Sequence, residues 1–304
     1  RLPLRGQRRT LTGFPGSALR RSQPAACAAG SPGASHVVSG AAGCQIDGME
    51  RSHFLQVALD VAAAAAEVIR HYYRDDVEVS LKADRTPVTR ADVESEEVIR
   101  SSIAHAFPDH GFYGEETGQH GVDAEYLWLV DPIDGTRSFV RGYPFFSTQI
   151  ALMHRGEIIV GVSSAPAFGE LAWAERGHGA FLDGHRCQVS RVQHLEDAAV
   201  SSGNLRTLAS GPRWGDWAEV VRRVARIRGY GDFYHYHLLA AGRIDGIVES
   251  DVNILDIAAL SLIVEEAGGI FTDLDGRRVG LETTSVLAGN RFIYPAVAGL
   301  LGAK

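Results

Sequence analysis

Residues 144–184, PFFSTQIALMHRGEIIVGVSSAPAFGELAWAERGHGAFLDG, alternate apolar runs with turn signals at HRGE, APAFGE and ERGHGA. Glycine-bearing turns let strands reverse direction, so the stretch predicts a meander of antiparallel strands. A chain that carries such a meander must build a sheet and cover its apolar faces. Covering helices are expected upstream. Residues 51–74 read as an amphipathic helix, with Phe54, Ala58, Val61, Ala65, Val68 and Tyr72 at three-four spacing. DVESEEVIRSSIAHAF, residues 92–107, reads as a second helix capped by Asp92, with Glu94, Glu96 and Glu97 near its positive end. GFYG is then a short strand running into a loop, and YLWLV a second strand whose exit is DPIDGT. The first half is therefore read as α+β with an antiparallel sheet.

From about residue 196 the pattern changes. AAVSSG and DGIVES read as strands. GDWAEVVRRVAR, FYHYHLLAAGRI and LDIAALSLIVEEAGG read as helices, the last closed by a Gly pair. GIFTDLDG and SVLAGN are further short strands, IRGYGD a strand or loop, and FIYPAVAGLLG a final helix. This is a smaller α/β half. Residues 49–195 are expected to form the metal-binding half, and residues 196–304 to complete the active site across a shared interface.

Composition narrows the function. The net charge of −7 argues against a nucleic-acid partner, because such affinity rests on Lys and Arg. Three cysteines without a CxxC pair imply no disulfide framework and a reducing, cytoplasmic setting. The longest apolar run, VALDVAAAAAEVI, is interrupted by Asp60 and has helical spacing, so no membrane span is expected. Residues 1–48 are rich in Arg, Ala, Ser, Gly and Pro, lack Lys, and carry Asp47 as their single acid. They read as a disordered extension. The expectation is that Met49 is the natural start; the alternative is an organelle transit peptide. Without these residues, which hold six Arg and one Asp, the net charge moves from −7 to −12.

Three acidic stretches stand at the ends of apolar elements: GEETG with Glu115 and Glu116, DPIDGT with Asp131 and Asp134, and NILDIAAL with Asp256. Taken singly, each has a plain reading: a solvated loop, a polar turn, and a helix N-cap. Together they offer the oxygen ligands that a hard divalent cation such as Mg²⁺ requires. The turn across Ile133 permits Asp131 and Asp134 to face adjacent ions, with the Ile133 carbonyl as a neutral ligand. Gly135 and Thr136 offer backbone N–H groups to a phosphate if a helix starts there. No GxSxG, HExxH or P-loop lysine motif points to another mechanism.

GEE at 114–116, WLVDPIDGTRSF at 128–139 and LDIAALSLIVEEAGG at 255–269 resemble, in order, the three motifs of the inositol-monophosphatase superfamily of Mg²⁺-dependent phosphomonoesterases. The resemblance spans residues 50–304. It implies a layered α-β-α-β-α sandwich, a homodimer and two or three Mg²⁺ ions. Glu115, Asp131, the Ile133 carbonyl, Asp134 and Asp256 match the family's metal ligands, with Glu115 also orienting the attacking water. Leu255 stands where the family usually has Trp. Thr136 matches the threonine that assists that water, Asp92 an acid that holds a further metal through water, and Lys82 a basic residue of the neighbouring mobile loop. Ile133, Asp134, Gly135, Thr136 and Asp256 are also expected to face substrate.

GYGDF, NILDIAAL and FVRGYPFFSTQIAL further resemble the histidinol-phosphate phosphatases of the superfamily. Asp232 stands where inositol-hydrolysing members tend to have a small neutral residue, and Glu249 matches a position that touches the organic part of the substrate. Two carboxylates suit a leaving group that carries an amine and an imidazole. The expected function is histidinol-phosphate hydrolysis in histidine biosynthesis. Its alternatives are an inositol-1-phosphate or broad sugar-phosphate phosphatase and, from another class, a non-catalytic regulatory member. Asp232 has a competing reading as a helix cap, and Arg141 as an ion-pair partner. His235 and His237 read as interface or surface residues rather than a zinc pair, whose helical spacing is usually different.

Overall fold

The run YLWLVDPID lies at the heart of the larger of two main sheets. The computed structural model describes residues 51–73, 79–81 and 87–303. Val79–Leu81 (β1) and Pro87–Thr89 (β2) form a small hairpin. Gly111–Gly114 (β3), Gly118–His120 (β4), Tyr126–Asp134 (β5), Ser147–His154 (β6), Glu157–Ala165 (β7), Glu170–Glu175 (β8), Gly179–Leu182 (β9) and His185–Arg186 (β10) build the large sheet in the order β10-β9-β8-β7-β6-β5-β3-β4. Ala199–Ser202 (β11), Arg226–Arg228 (β12), Gly246–Ser250 (β13), Ile270–Thr272 (β14) and Ser285–Gly289 (β15) build the other, ordered β12-β11-β13-β15-β14.

Helices fill the space on either side of both sheets. Helix α1 (His53–Tyr73) and α2 (Arg90–Ala106) cover one face of the large sheet. Two short helices, α3 (Thr136–Val140) and α4 (Leu205–Ser210), follow β5 and β11. Trp214–Arg223 (α5) and Ile293–Leu301 (α8) cover the outer face of the smaller sheet. Asp232–Ala240 (α6) and Ile254–Glu266 (α7) pack between the sheets. The layer order is therefore α-β-α-β-α, as expected.

Side-chain alternation explains the layers. On β5, Trp128 and Val130 face α1 and α2, while Leu127 and Leu129 face α7. Strands covered on both faces read as continuous apolar runs, which is the pattern of YLWLV. Helix α7 is apolar around most of its circumference because it has a sheet on each side. Trp128 is fully buried, and truncating a core Trp to Ala typically costs about 3–5 kcal/mol.

Several expectations need correction. The large sheet is mixed, because β3 runs parallel to β5, and β4 makes the antiparallel edge beside β3. Residues 115–125 supply the crossover through β4. Of the predicted α1 stripe, Ala58, Val61 and Ala65 are buried, but Phe54, Val68 and Tyr72 lie at its margins. Leu55, Leu59 and Ile69 of the same helix are buried with the alanines instead. Asp92 does not occupy the N-cap of α2. Thr89 does, and Asp92 completes a capping box from the third helical position. Among the described residues no helix is long and apolar enough to cross a membrane. The extension 1–48 and Lys82 lie outside the described residues.

Candidate metal centre and active site

The site begins where β5 breaks its ladder. Asp131 pairs with Gln149 and Asp134 with Ser147, so one extra residue is inserted on β5. Such a bulge bends the strand and re-aims its side chains. The break is held by Asp131 Oδ1, which accepts the Ile133 N–H at 2.9 Å, and by the Pro132 carbonyl, which accepts the Thr148 hydroxyl at 2.9 Å. Gly135 then adopts φ 89°, and α3 starts at Thr136. A side chain at Gly135 would be strained, and its Cβ would lie 2.5 Å from the Phe145 carbonyl.

Two helix N-termini deliver acids to this bulge by the same device. In α2, Asp92 Oδ2 accepts the Thr89 N–H at 2.8 Å and the Thr89 hydroxyl at 2.6 Å. The Thr136 hydroxyl lies 3.2 Å from Asp92 Oδ1 and 3.0 Å from the Ile133 carbonyl. In α7, the N-cap is Asn253 rather than Asp256. Asp256 Oδ2 accepts the Asn253 N–H at 2.8 Å, and Oδ1 accepts the Asn253 side-chain amide at 2.8 Å. In each box the acid is fixed by its own helix start, so its direction is set before any ligand arrives.

Asp131, Asp134 and Asp256 each bring a carboxylate oxygen within 4.8 Å of the other two. With Glu115, Ile133, Gly135, Thr136 and Asp232 they line one cleft of about 310 Å³. Burial pushes Asp131 well above the usual carboxylate range, and Glu115, Asp134 and Asp256 push it further. Burial and the neighbouring Asp232, Asp256 and Glu249 do the same to Asp134. Burial carries Asp256 up to about 7, against the Asn253 hydrogen bond. Burial also raises Asp92, against its Thr89 hydrogen bonds. A group of like charges with all-oxygen donors, Asp131 buried and Asp134 and Asp256 half-buried, suits hard divalent cations, which relieve that repulsion.

Sequence reading missed Glu96. It lies fully buried on the inner face of α2, where its carboxylate accepts the Glu116 and Thr117 N–H groups at 2.8 and 2.7 Å. That tether fixes the turn immediately after Glu115. Its sequence signal was the four-residue spacing from Asp92, which puts both acids on one helix face. Asn204 and Asp251 also line the cleft, and both have positive φ.

A recess of about 40 Å³ adjoins the cleft, lined by Asp134, Asn204, Asp232, Tyr236, Glu249 and Asp256 among others. Asp232 does not cap α6. Gly231 holds the N-cap position without a side-chain bond, and Asp232 is the first helical residue, at φ 45°. Burial, then Glu249, raises Asp232 to about 6, while His235 opposes the shift. Glu249 is 3% exposed. The surface reading of the two histidines fails, because neighbouring elements enclose both. His235 donates from Nε2 to Glu249 Oε2 at 2.9 Å, and His237 lies 3.1 Å from Glu170 and 2.9 Å from the Ser163 hydroxyl. Arg141 is exposed and forms no ion pair with a described residue.

The profile of the inositol monophosphatase family matches residues 50–303. The chain belongs to this family. It is 40% identical to a histidinol-phosphatase of Mycobacterium tuberculosis, over 82% of this chain and 98% of that one. It is 36% identical to an inositol-1-monophosphatase of Mesorhizobium japonicum, over 82% and 96%. The extragenic suppressor protein suhB of Bartonella henselae has the same fold, with a TM-score of 0.77 and 35% identity over 82% of this chain and 98% of that one. The chain is a phosphoric monoester hydrolase of a family that is generally metal-dependent.

Proposed function

We propose that this protein is a Mg²⁺-dependent phosphatase that hydrolyses histidinol phosphate, within histidine biosynthesis, to histidinol and phosphate. The observation that carries the reading is the pair Asp232 and Glu249, two carboxylates in the recess beside Asp134 and Asp256. A neutral polyol gains little from two adjacent acids, whereas a leaving alcohol with an amine and an imidazole gains charge-assisted hydrogen bonds. The histidinol-phosphatase name of the Mycobacterium relative supports the same choice.

In this reading Glu115, Asp131, the Ile133 carbonyl, Asp134 and Asp256 hold two or three Mg²⁺ ions. Bound ions supply charge neutralisation at the phosphate and a lowered pKa for a coordinated water. The chain does the rest. Gly135 and Thr136, at the start of α3, direct backbone N–H groups toward the phosphate. The Thr136 hydroxyl, held between Asp92 and the Ile133 carbonyl, orients the attacking water together with Glu115. Asp232 and Glu249 receive the cationic end of the alcohol. A homodimeric, cytoplasmic enzyme belongs to the same reading.

Inositol 1-phosphate is the second candidate substrate, favoured by the name of the Mesorhizobium relative. Steady-state assays with Mg²⁺ on both esters separate the two. The expected kcat/KM for histidinol phosphate is at least about tenfold the higher, the discrimination that one charge-assisted contact supports. Equal values, or a preference for inositol 1-phosphate, retire the histidinol assignment.

A further inference from the structure

Glu249 sits in the recess with an unusual set of partners. Its Oε2 accepts the His235 Nε2–H at 2.9 Å and the Tyr236 hydroxyl at 2.6 Å. Both donors come from α6, which begins at Asp232, while Glu249 comes from β13. Side chains of His235, Tyr236 and Glu249 are all withdrawn from solvent. A carboxylate placed there alone would carry a large desolvation cost, and two internal donors offset it.

The donors are themselves directed. The Tyr230 N–H donates to the Ser201 hydroxyl oxygen at 3.3 Å. That leaves the Ser201 hydrogen for His235 Nδ1, which lies 3.2 Å away. His235 with Nδ1 as acceptor carries its proton on Nε2, the nitrogen that faces Glu249. The relay runs from the backbone of Tyr230 through Ser201 and His235 to Oε2. Burial and the Glu249 charge also raise Tyr236 well above the usual tyrosine range, which keeps its hydroxyl protonated as a donor.

The opposite side of the carboxylate is guarded by a missing side chain. A Cβ at Gly203 would lie 1.7 Å from Glu249 Oε1. Oε1 therefore rests over the Gly203 backbone, and it accepts no hydrogen bond from a described residue. One oxygen is saturated by the protein and the other is left for a ligand in the recess.

We propose that His235 and Tyr236 are positioning residues that lock Glu249 through Oε2, so that Oε1 forms a fixed anchor for a cationic nitrogen on the leaving alcohol. The inference rests on the substrate reading above. It adds that selectivity for a cationic ester depends on two residues of α6 that act through their hydrogen bonds to Glu249. Preorganisation of this kind acts on a substrate that uses the anchor and leaves others nearly untouched.

The test uses the full chain with Mg²⁺ and two esters, histidinol phosphate and inositol 1-phosphate. His235→Ala is expected to raise KM for histidinol phosphate about tenfold or more, with a change under about threefold for inositol 1-phosphate, since a hydrogen bond to a charged group is at stake. His235→Gln, whose amide N–H can still reach Glu249, is expected to recover most of the loss. Tyr236→Phe keeps the ring and removes one donor, so it decides the matter if His235→Ala does not fold. Gly203→Ala approaches from the other side and is expected to act on the same ester. Equal losses on both esters, or no loss, overturn the positioning role. A wild-type enzyme without preference for histidinol phosphate overturns the substrate reading first and the positioning role with it. A wild-type preference that survives Tyr236→Phe and His235→Ala overturns the positioning role alone.

Discussion

The metal cleft and the recess beside it share Asp134 and Asp256 in their walls, yet they treat buried negative charge in different ways. Asp131, Asp134 and Asp256 converge without an ion pair to any described residue; Asp134 and Asp256 raise Asp131, and Asp256 raises Asp134. Glu249, one wall away, has a histidine and a tyrosine on a single oxygen. The first group is incomplete as protein and calls for a cation from solution. The second is completed from within, and what it lacks is a partner for one remaining oxygen. On the proposed function, the difference separates carboxylates that carry the reaction from carboxylates that select the ester.

The strongest break of that comparison is Asp134→Asn. With Mg²⁺, phosphate release is expected to fall by about a thousandfold or more, because one ligand and its charge are lost together. Without metal the same variant is expected to melt higher than wild type, since a buried like charge is gone. Glu249→Gln is expected to bring a smaller gain, because the relief to Asp134 and Asp232 is offset by the loss of the charge that His235 and Tyr236 hydrogen-bond. Enzyme assays beside melting curves in EDTA check both arms. An Asp134→Asn protein that keeps wild-type turnover, or that melts lower in EDTA, would remove the contrast.

A gentler measurement titrates the same charges. Unfolded aspartates have pKa values of about 3.9. In the fold Asp256 lies at about 7, and Asp131 and Asp134 are also raised. The native state then binds more protons than the unfolded one between these limits. The contribution of these three groups to stability in EDTA is fully present below the unfolded value and is lost as pH rises through the folded values, about 7 for Asp256. In the proposed reading Mg²⁺ binds the deprotonated form, so its stabilising effect is expected to grow over the same interval. Melting temperatures at pH 5, 6, 7 and 8, with and without Mg²⁺, read the two trends, on the order of several degrees. A melting temperature in EDTA that rises from pH 5 to 8 contradicts the assignment.

The contrast also explains what was legible in the sequence. The metal cleft draws on short contiguous stretches, with Asp131, Ile133, Asp134, Gly135 and Thr136 all on one bulge and its exit. Turn chemistry and strand exits exposed it without knowledge of the fold. The support behind Glu249 is assembled from β11, α6 and β13, with Ser201, His235 and Glu249 far apart in the chain. Periodicity along α6 could not show that His235 meets a carboxylate, so it read as an interface or surface residue. Glu96 was hidden in the same way, because the loop it tethers comes back from 20 residues downstream. The parallel pairing of β3 and β5 escaped for a related reason. Strand patterns report which face is buried, not which neighbour lies alongside. Local signals also overlap at helix starts, where Thr89 and Asp92 both fit a cap and the backbone chose Thr89.

His237 sharpens the comparison with the smallest expected effect on catalysis. It is buried like His235, two residues away on α6, and it too faces a glutamate. Its other polar contact is Ser163 on β7, which also accepts a hydrogen bond from Gln149 at 3.1 Å. These partners join α6 to the large sheet, and none of them lines the recess. His237→Ala is therefore expected to cost about 1–3 kcal/mol of stability, the usual penalty for stranding buried polar partners, as read by urea denaturation. The ratio of kcat/KM between histidinol phosphate and inositol 1-phosphate should stay within about twofold of wild type, under 0.5 kcal/mol of discrimination. If that ratio instead fell as far as in His235→Ala, burial of any histidine in α6 would suffice to explain the effect, and the special position of His235 behind Glu249 would be lost.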